Sequence, residues 1–196
     1  MMSHIRGAWP LAACMLVWAA STASAATAPP TYALDATKST LEFTFVQAGA
    51  QNKGRFPKFT LDFAFADDNL AASKLDVTID VAALDTADQE RDDTLRDTDL
   101  FNVKKYPQAR FSATQLTKTG AGYEAAGTLM LRGVSKAQRV QFTLRSATEQ
   151  GRHVLYMTGK SLVKRLDFGV GQGDWKSTEW VGADVTVTFN LRLIAP

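Results

Sequence analysis

Residues 185–193 have the sequence VTVTFNLRL, in which every second side chain is apolar. Strict alternation of this kind predicts a β-strand with one buried face. It recurs along the chain and predicts about eight strands, with the other segments at 41–45, 59–65, 75–81, 111–113, 123–131, 140–144, 154–157 and 162–165. An all-β antiparallel chain of this kind must pack two sheets or close one sheet into a barrel. The interior of an eight-stranded barrel is either filled by side chains or holds one small ligand, and alternation leaves both open.

One segment departs from the two-residue period. Thr86 and Gln89 have the spacing of a capping box, and acidic residues follow, as the helix dipole prefers. The sequence therefore predicts one short helix over residues 87–97, with Thr86 as its N-cap.

Composition narrows the chemistry. The chain has 196 residues, 45% of them hydrophobic, with 22 Lys and Arg against 20 Asp and Glu. A net charge of +2 without a basic block gives no footprint for nucleic acid. One Cys and two His cannot build a disulfide framework or a Cys/His zinc site, and no nucleophile and base stand at a catalytic spacing. We therefore expect no metal, no cofactor and no enzymatic active site.

The N-terminus has the order of a secretory signal peptide. Arg6 precedes the uncharged stretch 7–20, and small residues lead to an A-x-A cleavage site after Ala25. This order predicts that residues 1–25 are removed on export. An alternative is a lipobox at residues 11–14, which would make Cys14 a lipidated N-terminus.

The mature chain resembles the YceI-like family of periplasmic lipid-binding proteins over residues 32–194. The blocks that carry the resemblance are Leu84-Asp85-Thr86, Arg91-Asp92, Asp99-Leu100-Phe101, Tyr106-Pro107, Gly127-Thr128-Leu129, Leu131-Arg132-Gly133-Val134 and Arg165-Leu166-Asp167-Phe168-Gly169. One departure is Thr94, which stands where the family often has His.

The resemblance implies a periplasmic, lipocalin-like, eight-stranded antiparallel barrel with the helix at one end. It also implies a long apolar tunnel that holds an amphiphile such as a polyisoprenoid, an isoprenoid quinone or precursor, or a fatty-acid derivative. The alternative is a filled barrel that acts through its outer surface as a stress-response or redox-partner module. Transient membrane contact and a homodimer both remain open.

Inward positions of the predicted strands, with aromatic residues of the segment before the last strand, are the candidate ligand-binding residues. They are Phe43, Phe45, Phe59, Leu61, Phe63, Val77, Ile79, Phe111, Ala113, Leu129, Val140, Phe142, Phe168, Trp175, Trp180, Val187 and Phe189. Arg91 and Arg165 are candidates for a polar head group because Arg suits phosphate and carbonyl oxygens. Ion pairs with Asp92 and Asp167 are the competing interpretation. The glycine-rich segment 169–182 is a candidate gate at the tunnel mouth.

Overall fold

A computed structural model describes residues 28–196, so the predicted signal peptide and Cys14 lie outside the described residues. The described chain forms one α-helix, α1 (Gln89–Arg96), and ten strands. The strands are β1 (Thr31–Leu34), β2 (Thr40–Gln47), β3 (Ala50–Arg55), β4 (Phe59–Ala64), β5 (Lys74–Asp80), β6 (Gln108–Thr119), β7 (Gly122–Leu131), β8 (Val134–Glu149), β9 (Arg152–Lys164) and β10 (Asp184–Ile194).

The sheet closes on itself as an antiparallel barrel. Strand β1 pairs with both β4 and β10, which completes a ring of eight strands in the order β1-β4-β5-β6-β7-β8-β9-β10. The β2–β3 hairpin extends the sheet beside β10, where Val187 faces Phe43. The predicted eight-stranded barrel is therefore confirmed, and the hairpin is an addition to it.

A partly buried ionic cluster joins the strands where the barrel closes. Arg192 Nη1 donates to Asp35 at 2.6 Å, and Nη2 donates to Glu149 at 2.8 Å. Hydrogen bonds from Thr37 and Arg192 hold the carboxyl pKa of Asp35 below its ordinary value. Bonds from Tyr156 and Arg192 lower the pKa of Glu149 in the same way.

Two predicted strands are one. The segments predicted separately at 154–157 and 162–165 belong to the continuous β9, which has Gly159 in its centre. A Cβ at Gly159 would lie 2.4 Å from the ring of Phe189, so glycine is required for that ring to lie across the strand. The interruption in the apolar pattern therefore reflects packing against a large neighbour, not a turn.

The predicted helix is present, but its cap is different. Asp88 is the N-cap, and its Oδ1 accepts a hydrogen bond from the Arg91 N–H at 3.1 Å. Ala87 has a positive φ of 59°, which is incompatible with a helix and delays the start. Thr86 instead donates to the buried Asp92 Oδ1 at 2.6 Å. Among residues 28–196, no helix has the length and apolar character needed to cross a membrane.

The two ends of the barrel are packed differently. At the end away from the helix, aromatic rings fill the interior: Phe63 contacts Phe65 and Phe142 with centroids 5.3 and 6.3 Å apart. The buried residues Leu75, Ala113, Met157 and Leu193 belong to the same cluster. A second cluster, with Phe43, Phe45, Phe56, Leu84 and Val181, lies at the helix end.

Candidate functional site

The helix end of the barrel contains a cavity of about 700 Å³. Its walls come from the inward faces of the strands, from α1 and from the segment before β10. The apolar lining consists of Phe43, Phe45, Ala48, Ala50, Phe56, Ile79, Val81, Leu95, Leu100, Phe101, Ala109, Leu129, Leu131, Val163, Val170, Trp175, Val181, Val185 and Val187. The volume and lining are those of a small-ligand site.

The cavity occupies one half of the barrel, whereas the resemblance implied a long tunnel. Phe63, Phe142 and Met157 pack the other half and do not line the cavity. The cavity therefore ends at this packed cluster.

Six of the predicted apolar residues line the cavity. They are Phe43, Phe45, Ile79, Leu129, Trp175 and Val187. The other eleven lie outside this cavity lining: Phe59, Leu61, Phe63, Val77, Phe111, Ala113, Val140, Phe142, Phe168, Trp180 and Phe189. All except Trp180 are buried or half-buried. The physical reason is that a two-residue period identifies the inward face of a strand but not the height of a residue along the barrel axis.

Several lining residues were missed by the sequence analysis. Ala109 and Val185 share the inward face with predicted neighbours, so extending the alternation by one step would have found them. Leu95, Leu100 and Phe101 line the cavity from α1 and the segment after it, where strand alternation carries no information.

Phe43 depends on a neighbouring glycine for its position. A Cβ at Gly54 would lie 2.3 Å from the Phe43 ring, which packs on the bare backbone of β3. Any side chain at this position would push the ring away from the strand. Gly54 therefore helps to set the width of the cavity.

Arg165, the other head-group candidate, lines the cavity, but backbone carbonyls engage its guanidinium. It is only 4% exposed, and its guanidinium donates five hydrogen bonds of 2.7–3.1 Å to backbone carbonyl oxygens. These belong to Val170, Trp175, Ser177, Val181 and Gly182. Since a guanidinium has five N–H donors, none is left for a ligand. Burial lowers the pKa of Arg165, and the alternative partner Asp167 lies 3.9 Å from Lys136 instead.

Arg91 does lie at the cavity, beside its open rim. Its Nη2 donates to Asp88 at 3.1 Å, so its ion-pair partner is Asp88 and not the predicted Asp92. The other polar side chains at the rim are Gln47, Asn52, Asp88, Glu90 and Thr94. The carboxylates outnumber the single cation at this rim. Within residues 28–196, no group of three or more His, Cys, Asp or Glu side chains is arranged to hold a metal ion.

The segment 169–182 forms one wall of the cavity. Gly169, Gly171 and Gly173 all have positive φ, as their glycine identity predicted. The bonds from Arg165 fix this segment to the barrel, and the Asp99 carbonyl accepts from the N–H groups of Gly171 and Gln172 at 3.0 and 2.8 Å. These contacts argue against a freely moving gate.

The two tryptophans of this segment have different positions. Trp175 is half-buried and lines the cavity, whereas Trp180 is 69% exposed and does not. Only Trp175 is therefore placed to contact a ligand in the cavity.

A second concavity of about 750 Å³ involves Phe142 and Phe189. Its other lining residues include Thr143, Thr158 and Lys160, which are exposed on β8 and β9. Because these residues lie at the outer surface, an apolar chain bound there would stay partly in contact with water.

The sequence model of the YceI-like domain matches residues 32–193, and the chain belongs to this family. The resemblance inferred from the sequence blocks is thus confirmed.

Two relatives show how far the sequence likeness extends. A UPF0312 protein of Photorhabdus laumondii is 46% identical over 83 residues, which are 42% of this chain and 43% of that protein. A UPF0312 protein of Pectobacterium atrosepticum is 34% identical over 119 residues, 60% of this chain and 62% of that protein. The chain therefore spans less than two thirds of the length of these relatives.

Solved structures share the barrel. Burkholderia cenocepacia BcnA superposes with a TM-score of 0.75 at 30% identity, over 81% of this chain and 98% of that one. A polyisoprenoid binding domain from Saccharophagus degradans superposes with a TM-score of 0.62 at 21% identity, over 85% and 99% of the two chains. At this lower identity the likeness concerns the fold alone.

Proposed function

We propose that this protein is a carrier that binds one amphiphilic lipid, with the apolar chain in the barrel cavity and the polar end at its rim. The observation that carries the proposal is the division of the barrel interior. One half is packed by aromatic rings, and the other half retains about 700 Å³ behind a mainly apolar lining.

The energetics of apolar cavities favour an occupant. Empty apolar volume lacks the van der Waals contacts that a packed core has, so leaving it unfilled is destabilising. Water can enter at the rim, but the apolar part of the lining offers water few hydrogen-bond partners. An apolar chain restores the missing contacts.

The rim favours a ligand whose polar end is an uncharged oxygen group. Arg91 is already paired with Asp88, and Glu90 adds a second carboxylate beside it. A carbonyl or hydroxyl group can accept or donate hydrogen bonds there without repulsion, whereas a phosphate would meet two like charges. Arg91, Asn52 and Gln47 have side-chain donors suited to a carbonyl oxygen.

The family supports the ligand class. We propose an isoprenoid, in the form of a polyisoprenoid or an isoprenoid quinone or precursor, with a fatty-acid derivative as a weaker candidate because its carboxylate would face the acidic rim. The name of the S. degradans domain points to the same class. The alternative of a filled barrel that acts through its surface is disfavoured, since only one half of the interior is filled.

We further propose that the carrier is exported to the periplasm, and the order of residues 1–25 supports this proposal. We expect cleavage after Ala25 and a mature N-terminus at Ala26. Intact-mass analysis of the protein purified from its own cells measures this, and a chain beginning at a diacylated Cys14 would contradict it.

Two alanines of β6 provide the test of the carrier function. Ala109 and Ala113 lie on the same inward face, but Ala109 lines the cavity, whereas Ala113 is in the packed half and 1% exposed. In Ala109→Phe the new ring fills the cavity, and we expect the affinity for a short-chain prenyl quinone to fall more than about tenfold with little loss of stability.

Ala113→Phe is the matched control. Its ring has no free volume, so the free energy of unfolding should fall by about 1–3 kcal/mol or more, while the folded protein still binds the quinone. Binding is measured by titration followed by native mass spectrometry, and stability by urea unfolding. An Ala109→Phe variant that is folded and binds as the wild type does would overturn the proposed site.

A further inference from the structure

An apolar patch lies on the outer surface directly beside the cavity rim. Val46 and Trp180 are 45% and 69% exposed, and both are large hydrophobic side chains. Two hydrogen bonds join the segments that carry them: Gly182 N–H to the Val46 carbonyl at 2.9 Å, and Ala48 N–H to the Trp180 carbonyl at 2.7 Å. We call Val46 and Trp180 the rim patch.

Strand register places these side chains on one face. Gln47 and Val181 form a bridge and both line the cavity, so their inward side chains mark the inner face of this edge. Val46 and Trp180 each precede one of these residues, and successive side chains of a strand point to opposite faces. The same two segments therefore form the inner wall of the cavity and the apolar surface outside it.

The surroundings of the rim patch suit a lipid headgroup region. Lys53 is exposed on β3, two residues from the Gln51 that pairs with Val46, and it shares the outer face. Within residues 28–196, Lys53 belongs to no ion pair. An exposed indole beside an aliphatic side chain and a free ammonium group is typical of surfaces that lie at a membrane interface.

We propose that the rim patch docks this protein on a lipid bilayer, so that a ligand passes between the membrane and the cavity without crossing water. The inference rests on the proposed carrier function, because a long apolar chain has a bilayer as its source. Docking by the rim patch places Gln47, Ala48 and the cavity opening against the membrane surface, and the packed end of the barrel faces away.

The test compares vesicle binding by the full chain and by Val46→Ser/Trp180→Gln. Neither of the two substituted side chains lines the cavity. The neighbouring Ala48 does line it and is unchanged in the variant. Removing about 60 Å² of apolar area from a contact weakens it about tenfold, and an indole alone exceeds that area. We therefore expect at least a tenfold loss of co-sedimentation with vesicles of phosphatidylethanolamine and phosphatidylcholine, whose headgroups carry no net charge for the acidic rim to repel.

Met130→Gln is the matched control. Met130 is also an exposed apolar residue, at 41%, but it lies on β7 outside the rim patch. This variant should bind vesicles as the wild type does. The wild type should transfer a fluorescent prenyl probe between vesicles faster than the double variant.

Loading each protein with prenyl quinone from detergent tests the carrier function separately. If the double variant loads normally but neither binds vesicles nor transfers the probe, docking is supported. If the wild type does not bind vesicles, or if the double variant binds them as well as the wild type does, docking is overturned even where loading is normal. A change of oligomeric state in the double variant, with vesicle binding retained, would instead assign the rim patch to a second copy of the chain. If the wild type does not take up prenyl quinone from detergent, the carrier function itself is overturned.

Discussion

Replacement of Arg165 by Met tests whether this side chain is structural, as its contacts indicate, or binds a head group. Met fills a similar volume but donates no hydrogen bond, so five backbone carbonyls lose their donor. The carbonyls of Val170 and Val181 accept in buried bonds. Leaving a buried acceptor unsatisfied costs about 1–3 kcal/mol, so these two alone predict a loss of about 2–6 kcal/mol.

A loss of this size is a large part of the stability of a typical domain, ~5–15 kcal/mol. Arg165→Lys is the graded control, because an ammonium group has three donors and can satisfy at most part of the set. The urea concentration at the midpoint of unfolding should be highest for the wild type, lower for Arg165→Lys and lowest for Arg165→Met.

Circular dichroism and tryptophan emission, followed together, show whether the segment 169–182 loosens before the barrel unfolds. An Arg165→Met protein within about 0.5 kcal/mol of the wild type, but with weaker quinone binding, would refute this reasoning. Such a result would return Arg165 to the head-group role predicted from the sequence.

Three further results are expected. Gly54→Ala should displace the Phe43 ring into the cavity and weaken quinone binding. The control is Gly120→Ala, where a Cβ has open space, and it should change neither binding nor stability. Equal binding by the two variants would contradict this prediction. Saturating quinone should quench the fluorescence of Trp175, which lines the cavity, and not that of the exposed Trp180. Quenching should therefore be seen in Trp180→Phe, which retains Trp175, and be absent in Trp175→Phe; the reverse pattern would place the ligand elsewhere. Because the pKa values of Asp35 and Glu149 are held below 3.8 and 4.5, the stabilisation they give is complete above those values and declines as the pH falls through the lowered pKa values. Between pH 6 and 3, the free energy of unfolding measured in urea should therefore fall less with decreasing pH for Arg192→Met than for the wild type. If it falls equally in both proteins, the cluster of Arg192, Asp35 and Glu149 does not cause the loss of stability in acid.

The strands could be predicted from the sequence because alternation is a local property of each strand, and residues 185–193 and 75–81 bury one face. Alternation allowed either two packed sheets or a closed barrel, and the family resemblance favoured the barrel. The cap of α1 was not predictable in the same way, since the positive φ of Ala87 results from the path of the chain between Asp85 and Asp88. Strand β3 carries few apolar residues and forms only because β2 offers an edge.

The candidate site was predicted only in part, for a different reason. Ala109 and Ala113 have the same parity on the same strand, yet one lines the cavity and the other is packed. Their difference depends on which large side chains of other strands reach the same height in the barrel. Arg165 shows the same limit, because nothing local indicates that five carbonyls from residues 170–182 surround it.

Native mass spectrometry of the protein, purified from its own cells without detergent, tests the carrier function most directly. The account predicts a complex of the chain with one amphiphile, which organic extraction releases and which Ala109→Phe lacks. A wild-type protein that carries no such molecule, and takes up no prenyl quinone when it is offered one, would contradict it.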